Sequence, residues 1–222
     1  MSTALVIGAS RGIGREFVRQ LLAGGWQVQA TAREDRAIAD LQAAGATAIK
    51  LDVTQPQTLS GLGWALDGVK LDLALYVAGV YGPTSGASEP PQQSQFDAVM
   101  HANVLGAMQV MPLVAPAVEA ARGHFAFLTS GMGSIGDAQS SDHWVYRASK
   151  AALNMTVRSA AMDYPKATLL AISPGWVRTD MGGPSAPLSV TESVSGMLRA
   201  ISTLTLGDTG SFIDHNGRVM PW

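Results

Sequence analysis

Cysteine is absent from the chain, and charge is scarce: Asp, Glu, Lys and Arg together make up 14% of the residues, against roughly 25% in ordinary domains. The first absence excludes disulfides and thiolate metal sites. The second, with a net charge of −2 and no run of like charges, counts against nucleic acid or an anionic membrane as a partner. Histidine stands only at His101, His124, His143 and His215, without the spacing of metal ligands, so no metal site is expected. No apolar run approaches the ~18 residues of a membrane span, and the first residues lack the basic and apolar regions of a signal peptide. These absences lead to the expectation of a cytoplasmic protein.

Apolar residues are abundant, at 47% of 222. That length suits one large domain, here 1–222, and the composition suits a core covered on several sides and a subunit contact. Short β-rich runs at 4–8, 26–31, 46–51, 71–77, 124–130 and 167–173 alternate with helical patterns at 13–23, 34–44, 56–66, 94–120, 145–163 and 191–204. A last short run, 210–214, could extend one edge. Several of the β runs are almost continuously apolar, as strands of a parallel sheet buried on both faces are. The expected fold class is α/β: a single-domain, Rossmann-like, doubly wound parallel sheet with helices on both faces. Three loops rich in Gly, Pro and Ser, at 80–94, 131–143 and 174–189, each follow a strand. They should therefore wall one site beyond the carboxyl ends of the strands.

The first strand runs into GASRGIG, Gly8 to Gly14. Glycines at such a turn let backbone N–H groups approach a pyrophosphate, which the following helix N-terminus stabilises. After the second strand, Ala32 stands where a carboxylate would hold a ribose 2′-hydroxyl, and Arg33 follows. With Arg11 in the glycine loop, this favours a 2′-phosphate and hence NADP over NAD. Glu34 and Asp35 fall later and should open a helix, where acids suit the dipole. Asp52 closes the third strand and could accept from an adenine amino group, or could simply cap a turn. Ala78 and Gly79 end the fourth strand with side chains small enough for close backbone approach.

Tyr146 and Lys150, in VYRASKAAL, share one helix face at i and i+4. Alone, the pair also fits a rim tyrosine with a solvated lysine. Taken with GASRGIG, LDV at 51–53, the Ala78-Gly79 pair, Asn103 in HANVLG, Ser130 in LTSGMG and SPGWVRTDM at 173–181, it resembles the short-chain dehydrogenase/reductase family over nearly the whole chain. The carboxyl-terminal GSFIDHNGRVMPW and the compact length are similar to the small carbonyl-reductase branch, which includes proteins named for cell-to-cell signalling. The resemblance implies a catalytic tetrad of Asn103, Ser130, Tyr146 and Lys150. It also implies cofactor contacts from Gly8, Ser10, Arg11, Gly12, Ile13, Gly14, Arg33, Asp52, Val53, Ala78, Gly79, Tyr146, Lys150, Pro174, Gly175, Val177 and Thr179. Tyr146 would exchange a proton with the carbonyl oxygen, Lys150 would favour the phenolate by its charge, Ser130 would polarise the substrate and Asn103 would hold a water.

The implied activity is reduction of aldehydes and ketones by NADPH. The alternatives are a 3-oxoacyl thioester reductase, docking its carrier through Arg122, Arg147 or Arg158, and a cofactor-binding signalling protein. Three positions depart from the family pattern. Ile7 replaces a threonine, with expected loss of a hydrogen bond at the glycine loop. Val77 replaces an asparagine. The interval from Ser130 to Tyr146 is longer than usual, which leaves Ser134 as a competitor, although Gly133 keeps the S-x-x-G spacing from Ser130. A short substrate loop, about 174–190, predicts an open apolar pocket with His143, Trp144 and Trp176 as walls. Met100, Met108, Met111, Met155 and Met162 predict a homodimer or homotetramer through the helices near 94–120 and 145–163.

Overall fold

The computed structural model describes residues 1–222. Its seven strands are β1 (Thr3–Ile7), β2 (Gln27–Ala32), β3 (Thr47–Lys50), β4 (Leu73–Tyr76), β5 (His124–Leu128), β6 (Thr168–Ser173) and β7 (Ser211–Asp214). They form one sheet in the order β3-β2-β1-β4-β5-β6-β7, every neighbouring pair parallel. Parallel neighbours require crossovers, supplied by α1 (Gly12–Ala23), α2 (Asp35–Ala43), α3 (Pro56–Ala65), α4 (Gln93–Met100), α5 (Gly106–Ala121), α6 (Trp144–Ala160) and α7 (Val190–Ser202).

The alternation of side chains along each strand sorts the apolar residues into two cores. Leu5, Ile7, Tyr76, Phe125 and Phe127 face one way, onto α3, α5 and α6. Ala4, Val6, Leu75, Leu128 and Ile172 face the other, onto α1, α2 and α7. The strand order reverses between β1 and β4, which opens a crevice at their carboxyl ends, the place where doubly wound sheets bind ligands.

Two expectations change. The helix near 94–120 is not regular: residues His101–Leu105 form a π turn between α4 and α5. The continuous helical stretch Gln93–Ala121 is also long and apolar enough to cross a bilayer, with mean hydropathy 1.5 in its most apolar window. This corrects the expectation that no run approaches a span. The apolar positions of α5 are nevertheless spent inside the protein: Val110, Met111, Val114 and Val118 lie in the first core. Met111 is buried, which removes it from the surface assigned to a subunit contact, whereas Met108, Met155 and Met162 are exposed.

Gly106, the first residue of α5, lets this helix press onto β4. A Cβ there would stand 2.7 Å from the Tyr76 hydroxyl and 3.0 Å from Val53, and Tyr76 itself donates to the Ala102 carbonyl at 3.0 Å. Overpacking of this kind costs about 1–3 kcal/mol. Gly106→Ala should therefore destabilise the protein by that amount in chemical denaturation. Adding Tyr76→Phe, which withdraws the nearest atom, should recover part of the loss; equal penalties in the single and double variants would refute this packing.

Candidate active site

The glycine loop is shaped by exclusion of side chains. Gly8 has φ +89°, and a Cβ there would lie 2.7 Å from the Ala78 nitrogen; Gly12 has φ +52°, a conformation that other residues rarely adopt. At Gly14 a Cβ would collide with the Gly8 carbonyl oxygen. The first turn of α1 has no side-chain cap, so its N–H groups are left facing outward, as anion sites at helix N-termini require. By contrast, α7 closes its own N-terminus with the Ser189–Glu192 capping box. The loop thus fits a pyrophosphate. Although Ile7 offers no hydroxyl, the start of the loop is anchored by Thr31, buried in β2, which accepts from the Gly8 N–H at 3.1 Å and through its carbonyl from the Ala9 N–H at 2.8 Å.

Around this loop the remaining sequence-predicted residues sit at strand ends. Ser10 and Arg11 are exposed in the β1–α1 turn, Ile13 packs against the second core, and Arg33 is exposed just past β2. Glu34 and Asp35 do open α2, and Asp35 pairs with Lys50 at 2.6 Å. Asp52 behaves as a turn-former, its Oδ1 accepting from the Thr54 N–H and hydroxyl at 2.9 and 2.7 Å. The side chains of Val53 and Val177 are buried, serving packing. Pro174, Gly175 and Thr179 follow β6; Gly175 turns with φ +77°, and the Thr179 hydroxyl accepts from the Gly182 N–H at 3.0 Å.

At the other end, α6 presents Tyr146 and Lys150, both buried. The Lys150 ammonium donates to the Leu128 carbonyl at 2.8 Å and lies 5.6 Å from the centre of the Tyr146 ring. Burial lowers the lysine to about 8, since a desolvated ammonium is disfavoured. Burial also raises the Tyr146 phenol above its ordinary value; the Ser130 hydroxyl acts in the opposite direction and Tyr81 in the same one. The lowering expected from Lys150 is not among the influences on the phenol, whose direction is set by desolvation. Gly133 explains the S-x-x-G spacing: a Cβ there would stand 2.9 Å from the backbone and Cβ of Lys150, so only glycine lets the loop after β5 lie against α6. Gly79 is confined similarly, a Cβ meeting the Asn103 Oδ1 at 3.0 Å and the Lys150 Nζ at 3.6 Å.

Asn103 is fully buried in the π turn, a feature frequent at functional sites. Its Oδ1 accepts from the Val80 N–H at 2.8 Å, while its Nδ2 donates to the Val80 carbonyl and to the Ser149 hydroxyl, both at 2.9 Å. Ser149 in turn donates to the Tyr146 carbonyl at 2.7 Å. The amide therefore clamps the chain after β4 to α6, and both its hydrogens are spent within the protein. Ser130 lies at the end of β5 beside Tyr146, accepting from the Met132 N–H at 3.1 Å. Ser134 is buried and accepts from the Asp137 N–H at 3.1 Å, a turn role, whereas it is the Ser130 hydroxyl that hydrogen-bonds with the Tyr146 phenol.

Several neighbours escaped the sequence reading. The Tyr81 ring stands edge-on to Tyr146, centroids 4.7 Å apart, and 4.4 Å from His143; its hydroxyl reaches the Met132 sulfur at 3.9 Å. Ser173 accepts from the N–H groups of Gly131 and Gly175, at 3.0 and 3.4 Å, and so ties the loop after β5 to the turn after β6. Of the expected walls, His143 borders Tyr81, Trp144 is half-buried beside it, and Trp176 is pinned to the substrate loop by donation to the Gly182 carbonyl at 2.8 Å. A separate hollow of about 500 Å³, lined by Trp26, Leu73 and His124, opens at the amino ends of β4 and β5, away from this chemistry.

A cofactor cradle and a buried Tyr–Lys pair on one doubly wound sheet define a nucleotide-dependent oxidoreductase. The sequence profile of the short chain dehydrogenase family matches residues 2–187, and the chain belongs to that family. It is 42% identical over 123 residues to the C-signal of Myxococcus xanthus, covering 54% of this chain and 74% of that protein. A short-chain dehydrogenase/reductase from Burkholderia multivorans, solved with bound NADP, superposes with TM-score 0.88 at 34% identity, over 100% of this chain and 99% of that one. The NADPH-bound carbonyl reductase from chicken fatty liver does so with TM-score 0.88 at 31% identity and the same coverage.

The buried lysine makes stability depend on pH in a definite direction. Its folded-state value near 8 lies below the ordinary 10.5, so between these limits the unfolded chain binds more protons and stability rises with pH. Below about pH 8 the fold bears the whole penalty. Denaturation from pH 7 to 9.5 should show the parent gaining stability relative to Lys150→Met, by up to about 2 kcal/mol over that span. Parallel profiles would contradict the assignment.

Proposed function

We propose that this protein is an NADP(H)-dependent oxidoreductase that reduces aldehyde and ketone carbonyls to alcohols. The observation that carries the reading is the buried Tyr146–Lys150 pair on one turn of α6, beside Ser130 and at the end of a cleft that begins in the Gly8–Gly14 cradle. When bound, the cofactor supplies a hydride to the carbonyl carbon. As negative charge grows on the carbonyl oxygen, Tyr146 donates its phenolic proton to it. A phenol raised by burial is fully protonated at neutral pH and is still far more acidic than an alcohol, so this transfer is favourable. Ser130 orients the same oxygen. Lys150, mostly charged at pH 7, stabilises the resulting phenolate. Asn103 keeps Val80 and α6 in register.

NADPH is the preferred form, since Ala32 offers no carboxylate to a ribose 2′-hydroxyl and Arg33 and Arg11 are exposed beside the cleft. Ser10, Gly12, Ile13, Ala78, Pro174, Gly175, Val177 and Thr179 complete the cofactor contacts, with Asp52 and Val53 at the adenine end. The substrate is a small apolar carbonyl compound, met by Tyr81, Met132 and His143. The whole chain forms one domain working in the cytoplasm as a homodimer or homotetramer, with Met108, Met155 and Met162 in the contact. Against a carrier-bound thioester stands the dispersal of its expected cations. Arg122 caps α5, Arg147 bonds the Asp142 carbonyl and Arg158 the Gly210 carbonyl. The similarity to the C-signal favours a second reading, a signalling protein; an intact Tyr146–Lys150 pair makes that role one exercised alongside catalysis.

Replacing Tyr146 by Phe removes the transferable proton and little volume. The turnover of NADPH with an aldehyde should fall by about 10²–10⁴-fold while the NADPH dissociation constant, read by fluorescence, stays within about twofold. Near-normal turnover by the folded variant would end the tyrosine mechanism.

A further inference from the structure

We propose that Asp180 is a specificity-determining residue that competes with the cofactor's 2′-phosphate for Arg11. This rests on the NADPH preference argued above. Arg11 Nη1 donates to Asp180 Oδ2 at 2.7 Å, joining the loop after β1 to the loop after β6 across 169 residues. The two side chains are 74% and 78% exposed, so no packing holds the pair together and the guanidinium can exchange one anionic partner for another. The two loops also approach each other below the pair: a Cβ on Gly12 would lie 3.6 Å from the Thr179 Cγ2 methyl.

Asp180 is also held in place. The Thr179 hydroxyl accepts from Gly182 at 3.0 Å and its carbonyl from Gly183 at 2.9 Å, while Arg178 donates to the Ala186 and Pro187 carbonyls at 2.9 and 2.8 Å. The backbone that carries Asp180 is therefore fixed beside the glycine loop. Arg33 makes no hydrogen bond or ion pair within the protein, so of the two cations near the 2′-phosphate only Arg11 has an internal rival. A cofactor bearing the phosphate has to draw Arg11 from Asp180 and accept a nearby like charge. A cofactor with a plain ribose leaves the pair intact. Asp180 thereby trims the NADPH preference that the arginines create.

Calorimetric titration at low ionic strength tests this without turnover, using NADPH, NADH and adenosine 2′,5′-bisphosphate on the parent, Asp180→Asn, Arg11→Ala and the double variant. Asp180→Asn should tighten NADPH and the bisphosphate about two- to tenfold, in the range of an exposed ion pair plus the relieved repulsion, and leave NADH within about twofold. In the Arg11→Ala background the same change should tighten the phosphate-bearing ligands by clearly less than in the parent, because only the like-charge repulsion is left to relieve. An equal gain in both backgrounds would overturn the competition for Arg11. Unchanged or weaker NADPH binding by Asp180→Asn overturns the inference while a parent preference for NADPH leaves the functional reading intact. A parent that binds NADPH and NADH equally overturns both.

Discussion

A single buried cation organises the chemical end of this molecule. The Lys150 ammonium, closed off from solvent, donates to the Leu128 carbonyl where β5 ends. A buried charge without a partner is far costlier than one held by a hydrogen bond, so this contact fixes how α6 lies on the sheet. Gly133 follows from it, because a side chain there would press on Lys150 itself, and Gly79 is kept small by the Asn103 amide beside the ammonium. The register of α6 then sets Tyr146 one turn earlier, against Ser130 at the end of the same strand. Asn103 and Ser149 lock the same helix from its other side, through Val80 and the Tyr146 carbonyl.

The two ends of the cleft use opposite physics. The chemical end is dry, and there burial shifts both titrating groups, holding the phenol protonated and easing the lysine toward its neutral form. The phosphate end is wet. Its loop is held open by glycines and by an uncapped helix terminus, and its cations are exposed. Fixed backbone donors suit a ligand group that never changes charge, whereas a proton donor needs an environment that tunes its acidity. Ser173 connects the regions, receiving N–H groups from both the Ser130 loop and the turn that leads to Thr179.

Much of this was readable from residue order because it is local. Continuous apolar runs marked the strands to within two residues at each end, and their alternation with helical patterns pointed to a parallel sheet. Tyr146 and Lys150 were visible through i, i+4 spacing, and Gly133 through its distance from Ser130. What stayed hidden depends on partners far along the chain. Thr31 anchors the Gly8 N–H from 23 residues away, Asp180 meets Arg11 across 169, and Asn103 spends its amide on Val80 and Ser149. The π turn at His101–Leu105 has no spacing rule that distinguishes it within an apolar helix. Tyr81 lay in a loop rich in Gly and Pro, where its only local signal was its place just after the small residues that end β4. Met111 went to the core instead of the surface because α5 turns its apolar positions onto the sheet.

The claim on which the account turns is that Lys150 is held desolvated beside the Tyr146 ring. Nuclear magnetic resonance of protein labelled with ¹⁵N at the lysine side chains measures this directly, the Lys150 signal being identified by its loss in Lys150→Met. In the cofactor-free protein that signal should titrate at about 8. A midpoint at the ordinary lysine value of 10.5 would show the ammonium to be solvated and would contradict the account.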